Sequence, residues 1–137
     1  MAEYAMVTAA VALLAISVAG GVGKSTAQLP RSTAAAIQLV SSSAHKAKVP
    51  VGDARAAYGK APYRKTELKY VYALGWITGM KNRATCFYTV STSDAVRQAT
   101  GEITHDKKVS AKLRARGLTA RQAGTALVKG IQTACSD

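Results

Sequence analysis

Acids, histidines and cysteines are scarce in this 137-residue chain, and that scarcity limits the chemistry it can perform. There are 7 Asp plus Glu, 2 His and 2 Cys against 19 Lys plus Arg. Nucleophilic catalysis by a cysteine needs a histidine beside it, and no local signature around Cys86 or Cys135 supplies one. His45 lies in a lysine-flanked stretch and His105 precedes Asp106, which is placed to cap a helix, so both read as solvated side chains rather than bases. Two separated cysteines and two histidines are too few ligands for a structural metal site. Paired-carboxylate chemistry lacks its carboxylates. The expectation is a protein that is not an enzyme and carries no metal or cofactor.

One segment does hold the residue types of a phosphate site. Ala19-Gly20-Gly21-Val22-Gly23-Lys24-Ser25-Thr26 follows an apolar run at 13–18 and resembles the deviant phosphate loop of ParA-type ATPases. Such loops surround phosphate with backbone N–H groups and a lysine at the start of a helix. Here Val18 occupies the place of the standard first glycine, and Ala19 that of the deviant signature lysine. No apolar strand ending in Asp follows, and Pro30 would break the helix that carries the loop. A nucleotide site is therefore not expected. A secretory signal is not expected either, because the only early charge is Glu3 where a signal peptide needs a positive start.

The charge is unevenly placed. Residues 1–30 hold only Glu3 and Lys24, whereas the whole chain carries a net charge of +12, so the excess belongs to residues 31–137. Lys107, Lys108, Lys112, Arg114, Arg116 and Arg121 form one cluster without an acid among them, a candidate anion-binding surface. Lys46, Lys48, Arg55, Lys60, Arg64, Lys65 and Lys69 form a second, mixed with Asp53 and Glu67. Clusters of this kind bind phosphate backbones, acidic lipid heads or acidic polymers, or simply face water. No base-reading module accompanies them.

The uncharged run at residues 4–23 is the more diagnostic feature. As a helix its twenty residues would extend about 30 Å, the thickness of a bilayer's hydrocarbon core. Glu3 before it and Lys24 after it stand in the favourable order for the helix dipole. Its many Ala, Gly, Ser and Thr residues favour close helix–helix packing. Met1-Ala2-Glu3-Tyr4-Ala5-Met6-Val7, leading into an Ala-rich apolar run, resembles the N-terminus of Flp (Tad, type IVb) pilins. The resemblance covers about the first 25 residues. It implies that Glu3 pairs with the N-terminal amine of a neighbouring subunit and that Tyr4 stands in the place of the family's tyrosine. It also implies an inner-membrane precursor that becomes a helical filament of identical subunits on the bacterial surface.

The elements that would position these residues are mainly helical. The pattern predicts a long N-terminal apolar helix, stopped or kinked at Pro30, then a small helical head with at most a minor β element and one disulfide. Three segments follow: 1–29 as filament core or membrane helix, 30–52 as helical stalk and linker, and 53–137 as the basic head. Ser32 or Thr33 caps a stretch reaching about Lys46, with Ile37, Val40 and Ala44 on one face, and 46–52 reads as a loop. Asp53 caps a turn ended by Gly59, and Pro62 or Thr66 opens a helix to about Lys81. On that helix Leu68, Val71, Tyr72, Gly75, Ile77, Gly79 and Met80 share a core side, the two glycines leaving a patch where another helix can come close. Residues 87–92 are the best strand candidate. Ser93 caps a helix through Ala99, and Asp106 opens one ending near Gly117. The last begins with a capping box, Thr119 with Gln122, stapled by Leu118 onto Ala123. Cys86 and Cys135 pair if the head lies outside the cytoplasm and stay as buried thiols if it does not. Besides the filament subunit, the sequence allows a membrane-anchored module whose basic head binds DNA, acidic lipid or an acidic polymer, and a small subunit of a membrane complex.

Overall fold

The computed structural model describes residues 29–83, 86 and 91–136. Among these lie six helices: α1 (Thr33–Ala47), α2 (Val51–Lys60), α3 (Thr66–Lys81), α4 (Thr92–His105), α5 (Lys107–Ala115) and α6 (Ala120–Ser136). The expected apolar helix falls almost wholly outside the described residues. At the join, residues 29–31 are not helical, so α1 starts afresh beyond Pro30. Among the described residues no helix is long and apolar enough to cross a membrane.

Local side-chain chemistry sets the starts of α1, α4, α5 and α6. The Ser32 hydroxyl accepts from Ala35 N–H at 3.1 Å to start α1. Lys48, in the left-handed region at φ 59°, ends it by turning its N–H back onto the Ala44 and His45 carbonyls. The expected loop at 46–52 thus contracts to 48–50, and α2 begins before Asp53, which sits in its first turn rather than capping it. Asp106 Oδ1 accepts from Val109 N–H at 3.1 Å to open α5. At α6 the capping box is complete: Gln122 N–H donates to Thr119 Oγ1 at 3.1 Å, and Thr119 N–H donates to Gln122 Oε1 at 2.9 Å.

Two expectations fail around residue 91. The Ser91 hydroxyl, not that of Ser93, accepts from Asp94 N–H at 3.2 Å, and α4 therefore begins at Thr92. Thr92 had been the end of the strand candidate; residues 87–90 lie outside the described set, and no strand occurs among the described residues. The helix also continues past Ala99 to His105, because Ala99 and Ile103 extend the buried face begun by Ala95 and Val96.

Helix α3 is the centre of the fold. Every residue from 70 to 79 is buried, so it has no solvent face, in contrast to the single core side that its sequence suggested. The reason is tertiary: α1 and α2 cover one flank and α6 the other, while α4 packs on the far side of α6. Helices α3 and α6 run parallel. Gly75 meets the backbone of Leu127, Gly130 meets Tyr72 and Trp76, and Gly79 meets Ile131 and Ala134. A Cβ added at Gly130 would lie 2.8 Å from Trp76 N, and one at Gly79 would lie 2.7 Å from Ala134 Cβ. The expected glycine patch is thus a backbone-to-backbone seam.

The segment at 30–52, expected as a stalk and linker, shares this core. Ala36, Val40 and Ala44 are fully buried, and Leu39 and Val49 nearly so, within the same cluster as Val71, Leu74 and Leu127. Arg55 Nε donates to Ser41 Oγ at 2.8 Å, tying α2 to α1.

Candidate functional surface

The most specific polar arrangement joins three remote parts of the chain. Arg116, in the turn after α5, donates from Nη1 to Glu67 Oε2 at 2.7 Å and from Nη2 to the carbonyl of Leu29. The two charged side chains are only 9% and 15% exposed, so the pair is nearly enclosed. A guanidinium in such a place needs acceptors for its donors, and Glu67 and Leu29 supply a carboxylate and a main-chain carbonyl. Leu29 itself is 2% exposed. The chain that follows residue 28 is therefore gripped as soon as it enters the described fold. Arg116 leaves the expected anion-binding set on this ground, because its charge is neutralised internally.

The other members of that cluster remain outward. Lys107, Lys108, Arg114 and Arg121 are exposed and Lys112 is half-buried. Helix α5 turns only Val109 and Leu113 inward, leaving the rest of its surface to the lysines and Arg114. Arg121, in the first turn of α6, lines a cavity of about 390 Å³ with Tyr63, Leu68, Thr119, Gln122 and Thr125. The second basic cluster is divided by the fold. Arg64 and Lys65, just before α3, lie at the end of the bundle occupied by Glu67 and Arg116, whereas Lys46 and Lys48 close α1 at the opposite end. The sequence placed Arg64, Lys65 and Glu67 in a cluster separate from Arg114, Arg116 and Arg121, and left Arg31 out of both.

At the opposite end Cys86 and Cys135 form a disulfide, with Cα atoms 5.5 Å apart. It fastens the chain beyond α3 to the last turn of α6. Glu3 and Tyr4, the expected subunit contacts, lie outside the described residues.

A shallow aromatic groove runs between α2 and α6. Ala57, Tyr72, Trp76, Met80 and Thr133 line a cavity of about 310 Å³ with Asp53 and Lys60 at its rim. Tyr72 donates its hydroxyl to Thr133 Oγ1 at 2.9 Å. Tyr63 meets Tyr72 edge-on, with ring centroids 6.3 Å apart, and Lys129 Nζ stands 5.9 Å from the Tyr63 ring centre. Burial pushes the Tyr63 hydroxyl above its ordinary pKa, and the neighbouring Tyr72 adds to the shift. No group of three or more metal-ligating side chains occurs among the described residues.

No protein-family model matches the chain, and neither the curated proteins nor the solved structures contain a match.

Proposed function

We propose that the chain is the structural subunit of an extracellular bacterial filament of the type IVb pilus kind. Its apolar N-terminal segments would pack together in the filament core, and its basic helical heads would form the exterior. The observation that carries this reading is a join. An uncharged run at 4–23, headed by Glu3, leads within six residues to Leu29, whose carbonyl accepts from Arg116, itself paired with Glu67, in a disulfide-closed head. A head held firmly at that point would transmit the packing of the apolar segments to the filament surface. The disulfide suits a head exposed to an oxidising compartment, where such bonds persist.

Assembly on this account gains from apolar burial and from pairing Glu3, since an unpaired carboxylate in an apolar bundle is costly. Glu3→Ala in the full chain should therefore abolish or strongly slow filament formation by electron microscopy. The head's thermal unfolding in detergent should stay unchanged. Normal filaments from this variant would refute the role assigned to Glu3.

The outward, acid-free face of α5 favours a second reading, a membrane-anchored module whose basic head binds an anionic partner. A strictly monomeric particle in detergent with salt-sensitive binding to DNA or acidic lipid would select it.

A further inference from the structure

The position of the basic surface relative to the N-terminal join suggests what it faces. Leu29 is bonded to Arg116, so the N-terminal segment enters the bundle beside the N-terminus of α3 and the C-terminal end of α5. Arg31 is two residues from Leu29, Arg114 two from Arg116, and Lys65 two from Glu67. Two residues reach at most about 7 Å along the chain, so these side chains surround the join. All three are exposed, as is Arg64 beside them. Arg121 belongs to the same end, because its cavity includes Leu68, the neighbour of Glu67. Helix α5, which leads directly into Arg116, carries Lys107, Lys108 and Lys112.

Two acids at this end are engaged within the fold, and a third, Glu102, has a buried Oε2 without a hydrogen-bond partner. Glu67 serves Arg116, and Asp106 caps α5. Glu102 is half-buried on α4. Asp94, by contrast, lies at the opposite end, where it pairs with Arg97 at 3.2 Å. The result is a group of outward cations at the end of the bundle where the chain following the apolar run joins it. Between Gly23 and Leu29 the chain reaches at most about 21 Å, so a bilayer holding residues 4–23 would bring its surface close to this group.

We infer that this basic end of the head docks on the anionic phospholipid headgroups of the membrane that holds residues 4–23 before assembly. The inference rests on the proposed membrane-inserted precursor. Lipid is favoured over nucleic acid because the nearest of these cations lie within two residues of the groups that hold the join with the apolar run. Each Lys or Arg near an acidic bilayer contributes about 1 kcal/mol, which spread over several residues holds the head down while leaving it releasable.

The test uses the full chain in nanodiscs carrying a trace of headgroup-chelated gadolinium lipid. Amide signals at 107–116 and at Arg121 should broaden about threefold more in discs with about 30 mol % phosphatidylglycerol than in neutral phosphatidylcholine discs. Lys108→Glu/Arg114→Glu/Arg121→Glu, or roughly 0.5 M salt, should remove the difference. Lys46→Glu/Lys81→Glu, at the opposite end, should leave it intact. Equal broadening in both discs, or a larger effect at the Lys46 end, would overturn the docking while leaving the membrane segment standing. Failure of the chain to enter neutral discs would overturn the membrane reading of residues 4–23 itself. Larger signal shifts with short duplex DNA than with acidic lipid would overturn the choice of partner.

Discussion

Helices α5 and α3 are built on opposite plans. Helix α3 is buried from Tyr70 to Gly79 and meets α6 through glycines, where an added side chain would have to move a backbone. Helix α5 is held by Val109 and Leu113 and carries Lys107, Lys108 and Arg114 on its exposed surface. One region carries the fold; the other carries the charge. Between them Arg116 faces inward although its sequence neighbours face out. Net charge is therefore a poor guide to which cations are available, and substitutions should separate the two regions cleanly.

The largest effect should come from the disulfide that closes the enclosed region. Its two cysteines are 49 positions apart, and a loop of that size is worth about 4 kcal/mol on the chain-entropy account. Replacing both with Ala should lower urea-unfolding stability by roughly that amount. Gly130→Leu comes next, because the new side chain would collide with the α3 backbone at Tyr72 and Trp76. A loss of about 3 kcal/mol is expected, and an unchanged midpoint would deny the seam its role. Arg116→Ala should cost about 2 kcal/mol, since Glu67 is left nearly enclosed without its partner. It should also speed proteolysis after Arg31, which charge reversal at Lys108 should not do.

The smallest effect is a pH dependence at the edge of the aromatic groove. The Tyr63 pKa is raised in the fold by burial and by Tyr72, so the fold prefers its neutral form. Its contribution is complete below the unfolded value near 10 and is lost as pH rises through the raised folded value. Tyr63→Phe should match the parent at neutral pH and lose less stability in alkaline titration. Identical alkaline profiles would remove Tyr63 from the account.

The legible parts of the fold were those set by neighbouring residues. Thr119 with Gln122, Asp106 and Ser32 announce helix starts because capping is decided within four positions. Gly75 and Gly79 announced a close approach through their shared face on one helix, although Gly130 as the partner did not follow from spacing. The run at 87–92 resembles a strand in composition, yet Thr92 is helical because Ser91 caps ahead of it. Most of α1 was legible as a helix, but its place in the core was not, because a face of Ala36, Val40 and Ala44 does not say what it packs against. The Arg116–Glu67 pair was invisible for the same reason: 49 residues separate the partners, and only the parallel course of α3 and α6 brings them together.

The filament reading is tested most directly by electron cryomicroscopy of assemblies recovered from cells producing the full chain. It predicts a helical array of identical subunits in which residues 4–23 contact the same residues of neighbouring copies and Glu3 is paired within the bundle. Particles in which residues 4–23 touch only lipid, or only unrelated chains, would contradict it.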